Sequence, residues 1–112
     1  MGGFKWIVLV AIATLAVLTH AIAHPDGALD TEQCTYNNIL LMGKVRVVER
    51  FADIKVRVVD SFPDLNVQQV AHFPDTCGKW QMVDTFPDFT IQYVDSFPDL
   101  EIRWVDSFPG IP

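Results

Sequence analysis

The chain has 112 residues, half of them hydrophobic, and carries 14 Asp and Glu against 8 Lys and Arg for a net charge of −6. That length holds one small domain, and an acidic balance with its few basic residues spread singly argues against nucleic acid and anionic lipid as partners. Two cysteines allow at most one internal bridge.

Lys5 precedes an apolar run from Trp6 to Leu18, and Ala21-Ile22-Ala23 follows. A basic residue, a short apolar stretch and a small-x-small triplet predict a secretory signal over residues 1–23, cleaved after Ala23. An uncleaved anchor is the alternative, but the run of thirteen residues falls short of the about 20 that a helix needs to span a bilayer core. The expected location is therefore secreted or periplasmic, away from the membrane once the signal is gone. Lys5 is the only basic residue before the cut, so the exported part keeps seven of the eight basic residues and all fourteen acidic ones.

Residues 24–43 form an N-terminal segment, and from residue 44 to residue 112 the chain repeats itself. Copies begin at Lys44, Lys55, Asn66, Lys79, Thr90 and Glu101, a step of eleven residues except once, where Thr76-Cys77-Gly78 stretches it to thirteen. Each copy opens with five residues of alternating polarity rich in β-branched and aromatic types, as in Thr90-Ile-Gln-Tyr-Val94, which predicts a strand. The following Asp-Ser-Phe-Pro-Asp ends it, because proline cannot donate to a ladder and Asp bonds forward to the backbone. The first copy keeps the strand but has Glu49-Arg-Phe-Ala-Asp53 in place of the turn, as terminal repeats often do.

A short repeat cannot bury an apolar face alone, so the copies must share one core. Eleven extended residues reach about 36–40 Å, too little for a rung that crosses twice between sheets roughly 10 Å apart and still carries five-residue strands. One strand per copy, joined by six-residue connectors, is the expected all-β arrangement. Composition alone leads to an unknotted antiparallel meander or sandwich. The strand face carrying Val56, Val58, Trp80, Ile91, Ile102 and Trp104 is expected to be core. Phe62, Phe73, Phe86, Phe97 and Phe108, each before a proline, are expected to pack as plugs between layers.

Cys34 and Cys77 both lie in the exported part, where an oxidising compartment favours pairing. A Cys34–Cys77 disulfide is expected, tying the N-terminal segment to the one irregular point of the repeats; two free thiols are the rival.

The tandem Val-Asp-Ser-Phe-Pro-Asp phrase, with its Cys-Gly-Lys-Trp interruption and the signal ahead of it, resembles the septoil-knot domain family over Lys44 to Gly110. The resemblance implies a small all-β domain tied into a seven-crossing torus knot, and it implies no activity. Regular winding of two intertwined passes needs regular crossings, which equal connectors supply. Departure from uniform repetition at Gln68-Gln69-Val70-Ala71-His72 marks where the winding should break.

Chemistry is sparse. Asp60 and Asp64, Asp84 and Asp88, and Asp95 and Asp99 flank the turns, but calcium wants six to eight oxygens wrapped by a suitable loop, and turn-forming, strand-capping Asp is the preferred reading. Cleavage would expose His24 at a new N-terminus, where His72 could join it on copper; Pro25 removes an amide nitrogen that tighter copper sites use. Trp80, Tyr93 and Trp104 could build a platform for a glycan or a protein, and are otherwise core. Ser61, Ser96 and Ser107 recur with the turns, which suits structure better than one nucleophile. No phosphate loop or Cys-x-x-Cys pair is present. The expectation is a monomeric, non-enzymatic domain without cofactor, of unknown partner.

Five Phe–Pro bonds must reach one isomer each. With about 10–30% cis in the unfolded chain, refolding should show a slow phase of tens of seconds that a prolyl isomerase accelerates. Stopped-flow fluorescence checks this; complete refolding in milliseconds would contradict it.

Overall fold

The computed structural model describes residues 28–112. Three two-residue strands, β1 (Leu29–Asp30), β2 (Thr35–Tyr36) and β3 (Ile39–Leu40), form a small antiparallel sheet. One strand per copy follows: β4 (Gly43–Val47), β5 (Ile54–Val58), β6 (Leu65–Gln69), β7 (Lys79–Met82), β8 (Phe89–Tyr93) and β9 (Leu100–Trp104). These six close into a barrel in the order β4-β7-β6-β9-β5-β8, and every neighbouring pair is parallel. The antiparallel alternative is thereby excluded. Strands of β5, β6, β8 and β9 begin one residue ahead of the repeat phrase, because Ile54, Leu65, Phe89 and Leu100 also face inward.

Parallel neighbours ordinarily need a crossover of a dozen residues or more, yet six suffice here. The reason is stagger. Val47 at the end of β4 is level with Ile91, and Ile91 is level with Ile54 at the start of β5. The same relation links Val58 through Ile102 to Leu65, Met82 through Val45 to Phe89, and Tyr93 through Val56 to Leu100. The connector therefore moves sideways by two strand spacings, about 10 Å, with no return along the strand axis. It crosses one strand as it goes.

That crossing is fastened on both sides. The connector after β4 spans β8, with Val48 N donating to Ile91 O and Thr90 N to the Asp53 carboxylate. The connector after β5 spans β9, with Val59 N on Ile102 O, Asp64 N on Glu101 O and Glu101 N on the Asp64 carboxylate. Asp88 and Asp99 fasten their connectors to Lys44 and Lys55 in the same way. After β9 the pattern holds over β6 with Gly110 in place of Asp, its backbone exchanging both bonds with Asn66.

The irregular step lies between β6 and β7, just after the predicted break. There the chain moves to an adjacent place in the ring instead of the next but one. The fastening is half made: Val70 N reaches Trp80 O, but Lys79 N turns back to Thr76 O. The N-terminal segment supplies the remainder, since Leu41 O accepts from Gly78 N and from Trp80 Nε1. Cys34 and Cys77 are joined as expected, with Cα atoms 6.0 Å apart. Gly78 is required here by its φ of 87° and by Asn66 O, which a Cβ would approach to 2.5 Å.

Val45, Ile54, Val56, Leu65, Val67, Trp80, Ile91 and Ile102 are wholly enclosed, with Leu100 and Phe89 nearly so. Leu41 is wholly enclosed as well. Trp80 meets Phe89 and Trp104 edge to face, at 5.6 and 6.1 Å between centroids, a favoured aromatic geometry. Burial stops at the second residue of each copy, so Val58 and Trp104, two positions later, are partly exposed and not core.

The phenylalanines overturn the packing expected of them. Phe62, Phe73, Phe86, Phe97 and Phe108 are 79–92% exposed, and Phe51 is 93% exposed. Each is at the outer bend of a connector that rides over the barrel, with φ between 51° and 58°. The interior is already filled by strand residues, and a connector lying outside the ring has no layer above it to plug. No cis peptide bond occurs among the described residues, so the five Phe–Pro bonds are trans.

Replacing both cysteines by serine opens a loop with a sequence separation of 43, which costs about 4 kcal/mol in the chain-entropy treatment. Guanidinium unfolding of the oxidised protein and of the Cys34→Ser/Cys77→Ser variant should differ by that order.

Candidate functional site

The residues singled out from the sequence do not converge. Trp80 is enclosed, and its indole N–H is held by Leu41 O at 3.2 Å, so it offers no face to a ligand. Tyr93 and Trp104 are 46% and 36% exposed, on different strands. Trp104, with Gln68, Gln69 and Asp106, borders a shallow groove. His72 is exposed beside Phe73, their ring centroids 6.2 Å apart. His24 and the cleavage point after Ala23 lie outside the described residues. Ser61, Ser96 and Ser107 are exposed on three separate connectors.

The acidic residues of the turns have two different fates. The Asp closing a connector gives its carboxylate to a backbone N–H of the strand beneath: Asp53 to Thr90, Asp64 to Glu101, Asp88 to Lys44 and Asp99 to Lys55, each at 2.8 Å. Those oxygens are framework. The Asp opening a connector contributes its carbonyl instead, Asp95 O to Arg57, Asp106 O to Gln68 and Asp60 O to Arg103. Its side chain remains in solvent at Asp60, Asp84, Asp95 and Asp106. Among the described residues no three His, Cys, Asp or Glu side chains are grouped so as to hold a metal ion.

Arg57 pairs with Glu101 across β5 and β9, and Arg103 Nε donates to the buried Asn66 Oδ1 at 3.1 Å. The first pair is partly exposed and adds little stability. Burial, followed by the neighbouring Asp99 carboxylate, raises the Tyr36 phenol above the usual tyrosine value, and burial alone raises Tyr93.

What the strand alternation did not reveal is the row of aromatic knuckles. Beside one of them, Ser61, Phe62, Pro63, Arg103 and Pro112 line an open groove of ≈ 470 Å³. The available signal was position: Phe is the eighth residue of every copy, beyond the five that alternate and, in five of the six, directly ahead of the proline that turns the chain.

The two classes of Asp should separate on mutation. Asp99→Ala removes the partner of Lys55 N–H and should cost about 1–2 kcal/mol, whereas Asp60→Ala should stay within about 0.5 kcal/mol. Urea unfolding of the two variants makes the comparison.

The family model described as the 7(1) septoil knot domain matches residues 38–112. No curated protein matches the chain. The matched span takes in all six barrel strands and the connectors that straddle them. The chain belongs to the septoil knot domain family.

Proposed function

We propose that this is an exported, non-enzymatic domain whose role is persistence and contact in a harsh compartment. The observation that carries the reading is the commitment of repeated polar groups to the framework: four connector carboxylates are bonded to strand amides, and the one cysteine pair is bridged. Such a chain offers a protease few loose segments, because every connector except the one between β6 and β7 is pinned on both sides to the strand that it crosses. A bridge of this kind also suits an oxidising compartment. The serines Ser61, Ser96 and Ser107 are exposed on three separate connectors, which suits a repeated structural role better than one nucleophile.

A second reading, an extracellular glycan- or protein-binding module, is favoured by the half-exposed rings of Tyr93 and Trp104. Binding to a glycan array that vanishes in Trp104→Ala would select it.

The first reading is tested by expressing the full-length chain in a bacterial host. Exported protein should begin at His24, show no reactive thiol on denaturation, and survive protease that degrades the Cys34→Ser/Cys77→Ser variant. Retention in the cytoplasm with two reactive thiols would overturn it.

A further inference from the structure

Two residues are identical in all six copies, Val at the fifth position and Phe at the eighth. The valine is explained by the fold. Val48, Val59, Val70, Val83, Val94 and Val105 are half-buried, and each donates its N–H to the second residue of another copy. The phenylalanine has no such explanation. All six are 79–93% exposed, so burial returns little. All six have φ of 51–58°, a region where a bulky side chain is strained and Asn or Gly sits comfortably. Six exposed and strained aromatic residues would be better replaced if the isolated domain were all that mattered, and strain that persists in every copy points to an external use.

The surroundings indicate what that use is. The connectors straddle β8, β9, β4, β5 and β6, so the rings are distributed around the barrel, where a flat surface could meet only some of them. At five of them an exposed carboxylate stands two residues ahead of the ring: Glu49 before Phe51, Asp60 before Phe62, Asp84 before Phe86, Asp95 before Phe97, and Asp106 before Phe108, while Phe73 has Ala71 there. An exposed aromatic ring and an exposed carboxylate carried on the same short connector suit a cation, through the ring quadrupole and the charge together. The same acidity, with a net charge of −6, opposes a second copy of the chain and an anionic bilayer. A flexible chain can wrap where a rigid body cannot.

We propose that the six connector phenylalanines form a multivalent docking belt for a Lys- and Arg-rich polypeptide segment, each ring receiving one cationic side chain with the help, at five of the six, of the carboxylate two residues ahead of it. This rests on the reading of the domain as an exported contact module and names its partner's chemistry. One exposed contact changes affinity by only about 2–5-fold, so useful binding requires several knuckles joined by one ligand.

The test uses the exported, oxidised protein and fluorescein-labelled lysine–arginine peptides of four and sixteen residues, in fluorescence anisotropy at low salt. The longer peptide should bind much more tightly than the shorter, and each Phe→Asn change at Phe62, Phe86 or Phe97 should weaken it by about 2–5-fold. The melting temperature of those variants should hold or rise, because Asn tolerates the left-handed backbone. A fall in melting temperature would make the rings structural and overturn the proposal. Peptide binding that depends on Asp60, Asp95 and Asp106 but ignores the Phe→Asn changes would reduce it to general acidic attraction, and overturn it as well. Phe-dependent self-association in sedimentation, or Phe-dependent binding to neutral phosphatidylcholine vesicles without peptide binding, would replace the partner. All of these outcomes leave the export and protease measurements untouched, so the two readings fail separately.

Discussion

The structure depends on one constraint: each connector, except the one between β6 and β7, must cross a strand and be fastened to it on both sides. At the near side the fifth residue of a copy donates its N–H to the carbonyl of the second residue of the copy beneath. At the far side the tenth residue, usually Asp, receives the N–H of the first residue of the copy beneath. The fastening meets strand N–H and C=O groups at staggered positions where the neighbouring strand on that side does not reach, as at Lys44, which pairs with β7 but not with β8. The barrel and its wrapping are therefore one hydrogen-bonded object. Neither could be removed without exposing the polar edges of the other.

Stagger makes this possible. Because the last residues of each strand pair with the first residues of its neighbour, successive copies begin where the preceding ones end. Six residues then reach across about 10 Å where a parallel crossover elsewhere employs a helix. Side chains of the second position, Val45, Val56, Val67, Trp80, Ile91 and Ile102, fill the interior at every level. The fourth position lies at the rim, and Tyr93 and Trp104 are half in water for that reason.

Much of this was legible in the residues. Alternation in Thr90-Ile-Gln-Tyr-Val94 placed a strand, proline ended it, the count of copies set the number of strands, and the two cysteines had only each other. The order of strands around the ring was not legible, because it is decided by bonds between residues such as Lys55 and Asp99, 44 apart, or Thr90 and Asp53, 37 apart. Parallel direction was hidden too, since a six-residue link between alternating segments looks like a hairpin. Asp60 and Asp64 flank the same turn and read alike, yet one is free and the other is bonded to Glu101 N. Phe62 was misread for a related reason: hydrophobicity says nothing about which side of a connector is outside.

A last consequence concerns the thirteen-residue step at Thr76-Cys77-Gly78. In a ring of six places, moves of two places return to the origin after three, so a perfectly periodic chain would bring its fourth segment onto the seat of its first. The single shorter move sends β7, β8 and β9 into the vacancies between β4, β5 and β6. Once they are filled, a seventh segment has nowhere to go. Open solenoids lengthen by duplicating units, but a ring wound in this way is filled at six.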